Sequence, residues 1–484
     1  MKAQTGEGRL QVTLTALRER VAADPDDVGR NELAWLAARV AAAEATRAWA
    51  DRSGDALATQ VAEASEALAL GEDAIELGRR HAAIARAARP LEDVGASAEE
   101  CALRSRYRAF ADREVRPNAE AIHRENLPVP DSIIEGAAAL GLFDLSSGDR
   151  RHMLIATEEL SAASLNAAGS LITRPEILIR ALRNAGTPAQ RARWLPDITG
   201  GRRMVAVAVT EPDTGSDVAA LHECTAEPAG ARWVLNGRKR FAGFSGRAEL
   251  MAVLARTNPD GRRGLSLFVV EKPRIDDLDF VHEQPEGGRL VATAIPILGY
   301  RGMRTYDLLF ESYLTPEDAL IGAEGQGFYL QLDGFSSGRL QTAGRAVGVM
   351  QAALGEAFAY TRRRVVFGSP IADLQLAQAT LGSMVMRLES SRQLSYRAAA
   401  LLDAGRPQEG GDPGAGQMEA SLAKLYAAHQ AETVTRDAMQ LHGGIGYSEA
   451  TPVSRYFVDG RVLPIFEGAE EVLALRVVAR QLLR

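Results

Sequence analysis

RMVAVAVTEPDTGSD, residues 203–217, is the stretch at which the chain changes its period. Upstream, apolar residues recur three and four apart, as on one face of a helix. Here they form a short aliphatic run that stops at Pro, Asp, Gly and Ser, as a strand running into a loop does. Three further segments read the same way: ARWVLNGRKRF (231–241), ELMAVLART (249–257) and LSLFVVEK (265–272). Turn residues punctuate them at Pro228, Gly230, Asn236-Gly237 and Pro259-Asp260-Gly261. The spacing predicts an antiparallel β-domain over residues 203–318, with its strands ending near Phe310.

On the N-terminal side, residues 91–202 read as a helical domain. YRAFADREVRPNAE (107–120) and the segment from Met153 to Leu182 carry helical spacing, and Ser147-Gly148-Asp149 reads as a loop. Residues 1–90 form an Ala-rich helical extension of structural character. In it Leu33, Leu36 and Val40 repeat after a cap at Asp27 or Asn31, and Leu57, Val61, Leu68 and Ile75 share a face. Arg89-Pro90 marks its boundary. On the C-terminal side, residues 319–484 are helical apart from a Gly/Pro loop, AGRPQEGGDPGAG, at 404–416. No βαβ alternation is present, and GAEGQG at 322–327 lacks the preceding strand and GxGxxG spacing of a dinucleotide fold. The expected class is α+β, mainly α: an N-terminal helical extension, a helical domain, a central antiparallel β-domain and a C-terminal four-helix bundle.

Composition narrows the function. The 484 residues carry 25% charged side chains and a net charge of -7, which argues against nucleic-acid binding. No run of about 18 apolar residues predicts a membrane span, and MKAQTGEGRLQVT lacks the apolar core of a signal peptide. Cys101 and Cys224 are far apart and the seven His are scattered, so neither a disulfide framework nor a metal site is expected. A reducing, cytoplasmic setting fits best.

Four separated segments carry the chemistry: AVTEPDTGSD (208–217), RRRVVFGSPI (362–371) followed by Gln375, QLHGGIGY (440–447), and RYFVDGRVLPIFEGAEEV (455–472). In this order, on a helix-strand-helix scaffold, they resemble the signatures of the acyl-CoA dehydrogenase family from about residue 98 to the C-terminus. The resemblance implies FAD as cofactor and an acyl-CoA as substrate. It places Val209, Thr210, Gly215 and Ser216 at the flavin ring, with Ser216 also toward the CoA. Small residues and hydroxyls there let the backbone approach a planar ring and phosphates. Arg364, three residues before Phe367, matches the arginine that reaches the FAD pyrophosphate of a neighbouring subunit, a role suited to its forked donors. That implies a homodimer or homotetramer. Gln375, Gln440, Gly443 and Gly444 match positions near the phosphates and ribose, and Ala469 and Glu471 close the last FAD motif.

Glu467 matches the family's catalytic base. α,β-Dehydrogenation needs a base for the α proton and a hydride acceptor at the β carbon, and a carboxylate in an apolar pocket is poised for the first task. Ile465 and Phe466 are the expected walls. In the family the N–H of this glutamate helps to polarise the thioester carbonyl. Some members carry the base beside an arginine in the helix after the β-domain, but in DGFSSGRLQTAGR (333–345) Gly338 precedes Arg339 and cannot serve. Arg339 itself is a substrate-binding candidate.

Within the family, the N-terminal extension, ITRPEIL (172–178), GRLQTAGRAVGVMQAA (338–353) and the ending IFEGAEEV look like the branch acting on (2S)-methylsuccinyl-CoA to form mesaconyl-CoA, in the ethylmalonyl-CoA route. A dicarboxylic ester needs a partner for its free carboxylate, and Arg174 is the candidate. One departure stands out. Where the family has Trp and Thr over the flavin, this chain has Phe241 and Gly243 in RKRFAGFSG. The smaller pair is expected to loosen the site and admit O2. The acceptor is therefore either electron-transferring flavoprotein, as the resemblance implies, or O2, which would make an acyl-CoA oxidase. A non-catalytic binding protein on the same fold, such as a DNA-associated one, is the third reading.

Overall fold

The computed structural model describes residues 6–147, 149–404 and 416–484. Gly148 of the expected loop at 147–149, and residues 405–415 of the expected loop at 404–416, lie outside them. The chain divides into two compact units. One contains the sheet and takes in Pro117–Gly148 and Asn166–Gly338; the other is a helical unit of residues up to Arg116, Asp149–Leu165 and Arg339–Arg484.

In the sheet unit, the described strands are β1 (Val205–Ala208), β2 (Thr225–Ala229), β3 (Arg232–Gly243), β4 (Leu250–Arg256), β5 (Leu265–Glu271), β6 (Phe280–Glu283), β7 (Arg289–Ala294), β8 (Thr305–Pro316) and β9 (Leu320–Ile321). They form one sheet in the order β6-β7-β8-β3-β2-β4-β5-β9, with β1 paired to β4. The sheet is mostly antiparallel, as the sequence predicts, and extends past Phe310 to Ile321. Two pairings are parallel, β1 with β4 and β2 with β4. Neither is joined by a hairpin, so no turn forces the chain to reverse. Strands β4 and β5 are buried almost throughout, against Leu178, Leu182 and Trp194. Burial on both faces explains why they read as unbroken aliphatic runs.

Asn236-Gly237 proves not to be a turn between strands. It lies inside β3, at a register shift against β8. Gly237 takes φ 111°, and a Cβ there would strike the Glu223 carbonyl. Asn236 Oδ1 accepts the Ser312 N–H at 2.7 Å. The dipeptide's conformational freedom is spent on a β-bulge that bends the strand.

The helical unit opens with α1 (Gly6–Ala23), α2 (Asp27–Ser53), α3 (Ala56–Ala69) and α4 (Ala74–Ala87). The cap of α2 is Asp26, not Asp27 or Asn31, its carboxylate accepting the Gly29 N–H. Ile75 leaves the predicted face: the chain turns at Gly71, φ 69°, and Ile75 restarts in α4 at 67% exposure. After these come α5 (Ala98–Phe110), continued through a π turn, then α6 (Arg116–Arg124), α7 (Asp131–Ala139), α8 (Arg150–Ala163), α9 (Thr173–Ala185) and α10 (Pro188–Thr199). The predicted helical segment from Met153 to Leu182 is therefore two helices, α8 and α9, with a break between them. Of this group, α6 from Pro117 onward, α7, α9 and α10 belong to the sheet unit. The last long helices are α11 (Gly327–Arg363), α12 (Gln375–Ala404) and α13 (Gln417–His442), followed by α14 (Val453–Gly460) and a helical tail from Glu470.

The N-terminal helices pack on this bundle. The Trp35 ring lies 4.8 Å from that of His429, and Gly382 of α12 lets the His81 carbonyl approach so closely that a Cβ would collide with it. Inside the unit, Arg104 reaches Glu158 at 3.1 Å and Glu159 at 2.8 Å, and Arg392 reaches Glu158 at 3.2 Å. This buried charge network ties α5, α8 and α12 together.

The sheet unit has its own buried ion pair. Glu211 and Lys239 are 2% and 1% exposed and lie 2.9 Å apart. Glu211 also accepts the N–H groups of His222, Glu223 and Cys224. Burial opposes ionisation, but Lys239 and these donors outweigh it and hold the Glu211 pKa below the usual carboxylate range. Its stabilising effect is thus present above pH about 4.3 and lost as pH falls through the depressed folded value. Glu211→Gln is expected to cost about 3–5 kcal/mol at pH 7, since it leaves Lys239 buried without its partner. Urea unfolding of both proteins from pH 7 down to 3.5 checks this; the gap between them should narrow toward the acid end.

Candidate active site

In the sheet unit the expected flavin residues gather around the end of β3. Lys239 Nζ donates to the Val209 carbonyl at 2.9 Å, and the Arg240 N–H to that of Thr210 at 2.7 Å. These bonds pin Val209 and Thr210 alongside β3. The loop then closes on itself through paired backbone bonds between Glu211 and Thr214, leaving Gly215 and Ser216 exposed beyond it. A second register shift, between Lys239 and Ala242, puts Phe241 in left-handed backbone at φ 57° and 59% exposure. Its ring therefore stands out near the end of β3, with the Arg240 guanidinium over it at 5.5 Å.

Gly243, two residues on, is buried. A Cβ there would lie 2.5 Å from Arg174 Nη2, and the three nearest atoms all belong to the Arg174 guanidinium. The Arg174 guanidinium thus stands in the room a side chain at Gly243 would take, a neighbour that the sequence reading of a loosened site did not include. Arg174 Nη1 donates to the Ser170 carbonyl at 3.5 Å and to Met303 Sδ at 3.0 Å. Among the described residues no carboxylate pairs with it.

The helical unit brings its expected residues to two places. One is the end of α11 and the start of α12. Arg364 follows the last turn of α11, and Val365–Val366 and Ser369–Pro370 form a small hairpin. Its two-residue turn is Phe367-Gly368, with φ 51° and 82°, which leaves the Phe367 ring wholly exposed. Gln375 begins α12. Tyr360 stacks on His442 at 4.3 Å, which draws the end of α13, with Gln440, Gly443 and Gly444, toward the end of α11. Gly443 caps α13 at φ 63° and donates to the Gln440 carbonyl. No other described side chain holds the side chains of Arg364, Gln375 or Gln440.

The other place is the turn after α14. Glu467 sits there in left-handed backbone, φ 54°. The expected apolar walls differ: Ile465 is 55% exposed, and the Phe466 ring lies under the Arg345 guanidinium at 4.7 Å. The surroundings of Glu467 are cationic. Arg339 and Lys424 both attract it, and burial lowers the pKa of each of them. Arg339 also reaches Ser421 Oγ at 3.3 Å. Ala469 precedes the helical tail, and Glu471 lies exposed in its first turn.

Three family domain models match in sequence order: the acyl-CoA dehydrogenase N-terminal domain over residues 97–202, the middle domain over 206–313 and the C-terminal domain over 325–483. A (2S)-methylsuccinyl-CoA dehydrogenase of Cereibacter sphaeroides is 32% identical over 99% of this chain and 96% of its own. The chain belongs to the acyl-CoA dehydrogenase family. It is an FAD-dependent oxidoreductase of that type. The mitochondrial short-chain acyl-CoA dehydrogenase of Bos taurus is 32% identical over 79% of this chain and 89% of its own. Butyryl-CoA dehydrogenase of Megasphaera elsdenii superposes with a TM-score of 0.71 at 27% identity, over 80% of this chain and 99% of that one. No described helix is long and apolar enough to cross a membrane.

The sequence reading missed Lys239 with Glu211, and Arg345 and Lys424 around Glu467. Lys424 had a signal: it is the one lysine within ASLAKLYAAH, in an otherwise apolar helix stretch. The contact between Gly243 and Arg174 yields a test of stability alone. Gly243→Thr should destabilise the protein by about 1–3 kcal/mol through overpacking. Adding Arg174→Ala should recover most of that, and a double-mutant cycle in thermal unfolding measures the coupling.

Proposed function

We propose that this acyl-CoA dehydrogenase acts on a short branched or dicarboxylic thioester, such as (2S)-methylsuccinyl-CoA, which it converts to mesaconyl-CoA. The observation that carries the substrate class is the Arg174 guanidinium, half-buried against Gly243 and bonded only to a carbonyl and a thioether. A cation in that position is costly unless an anion joins it. A free carboxylate at the end of the acyl group is such an anion. The end-to-end similarity to a protein named (2S)-methylsuccinyl-CoA dehydrogenase supports the same class.

The side chains present fit FAD. The hydroxyls of Thr210 and Ser216, the Arg364 guanidinium and the amides of Gln375 and Gln440 have no side-chain partner among the described residues. Phe367 offers a wholly exposed ring, and Phe241 a partly exposed one with the Arg240 guanidinium over it. Gly215, Gly443 and Gly444 have open space where a Cβ would stand. Each unit by itself thus offers polar donors suited to phosphate or ribose and a surface suited to a flat ring. When bound, FAD supplies the acceptor for hydride from the β carbon. Glu467 takes the α proton, and its N–H, which has no described partner, donates to the thioester oxygen as charge develops there. Arg339 adds positive charge on the substrate side. Arg364 and Phe367, both exposed, extend to a second copy, which gives a homodimer or homotetramer. Electron-transferring flavoprotein is the acceptor we favour over O2, since Arg174 fills the room opposite Gly243.

Anaerobic bleaching of the flavin by CoA esters tests this reading. Glu467→Gln should keep FAD and bind substrate while bleaching slows about 100-fold or more; wild-type bleaching would place the base elsewhere. Arg174→Leu should lower kcat/KM for the dicarboxylic ester at least about 30-fold, as loss of a buried charge partner does, and leave butyryl-CoA nearly unaffected. Equal losses on both esters would count against the carboxylate role.

A further inference from the structure

Helix α13 buries a lysine in its packed face. Lys424 is fully buried among Ala420, Leu425 and Ala428 of its own helix. Its Nζ donates to the Pro464 carbonyl at 3.2 Å and to the Gly468 carbonyl at 2.6 Å. Those two carbonyls bracket Glu467. The Pro464 carbonyl also accepts the Glu470 N–H at 3.1 Å, so the turn is closed on itself and then fastened to α13 by one side chain. From α11, Arg345 covers the neighbouring Phe466 ring. The charged groups facing Lys424 are Glu467 and Glu470 on the turn and tail, and Arg339 and Arg345 on α11.

Such a lysine is expensive. Burial pushes its pKa down to about 7, against the pull of Glu467 and Glu470. A leucine or methionine would fill the same space without that cost. The lysine adds two directed hydrogen bonds to the backbone on either side of a glutamate held at φ 54°.

We propose that Lys424 is a positioning residue for Glu467, gripping the Pro464–Gly468 turn so that the glutamate's carboxylate and N–H keep one orientation toward the substrate. This rests on the reading of Glu467 as the base. An ammonium has three N–H donors and a positive charge that attracts Glu467; the neutral amine keeps two donors and no charge. The grip is therefore firm below pH about 7 and slackens above it.

The test compares the full-length FAD-loaded protein with Lys424→Met, Lys424→Arg and Glu467→Gln. The first readout needs no turnover: amide hydrogen exchange of the peptide covering 463–470. Lys424→Met should exchange there about tenfold faster, as loss of charge-assisted hydrogen bonds predicts, with the rest of the bundle unchanged. Lys424→Arg should restore part of the protection. In the wild type, protection beyond the intrinsic pH effect should step down as pH rises through about 7, and Lys424→Met should show no step. Bleaching by substrate should slow about tenfold in Lys424→Met at unchanged half-saturation. Wild-type exchange and bleaching in Lys424→Met, or faster exchange spread over the whole bundle, would overturn the proposal. Should Lys424→Met fail to fold, Lys424→Gln is read by the same criteria. Wild-type bleaching in Glu467→Gln would remove the base assignment and leave the exchange result to judge the grip alone.

Discussion

Three side chains of the candidate site, Phe241, Phe367 and Glu467, project from left-handed backbone. For a residue with a Cβ this conformation costs about 1–3 kcal/mol and persists only where the surroundings impose it. Much of the local architecture of both units is legible as the means of imposing it. Phe241 is held by a bulge in β3, Phe367 by a two-residue hairpin turn between paired strands, and Glu467 by a closed turn bonded to a buried lysine. The three devices have nothing in common except their result, a side chain presented outward from a fixed backbone.

Each device needs a rigid support. The β3 bulge is opposite β8, and the Glu211 and Lys239 pair locks the segment before Phe241 to the loop after β1. The hairpin of Phe367 lies between two long helices, one of which, α12, also takes part in the Arg392 and Glu158 network. Buried ion pairs of this kind add little net stability against apolar packing. What they give is direction: a charged pair has one good geometry where a cluster of leucines has several.

Sequence was most informative where local pattern and tertiary role coincide. Helical periods, the aliphatic strands and the four motifs needed no knowledge of neighbours, and the scaffold follows them. It failed where a residue's role is set by something distant in the chain. Asn236-Gly237 is locally a turn signal, and only the pairing of β3 with β8 makes it a bulge. Gly243 read alone is a missing side chain. With Arg174 beside it, it is a place made for a guanidinium that comes from a helix about seventy positions earlier. Ile465 is apolar in a motif that invites a pocket wall, yet it points outward, and the wall of Glu467 is cationic.

Net charge, too, misleads when taken over the whole chain. The protein carries -7, and a CoA ester is itself strongly anionic, so the average field opposes binding. Fields act locally, screened within about 8 Å at physiological salt. Arg174 stands beside the Phe241 bulge, Arg364 beside the exposed Phe367 turn, and Arg339, Arg345 and Lys424 around Glu467. Each part of the candidate site thus carries cations although the chain as a whole is acidic. An anionic ligand meets repulsion at a distance and attraction only on arrival, which favours selectivity over speed of capture. Two of these cations, Arg345 and Lys424, are buried and act through the protein itself, Arg345 over the Phe466 ring and Lys424 on the Pro464 and Gly468 carbonyls, so they shape the field at Glu467 without meeting the ligand first.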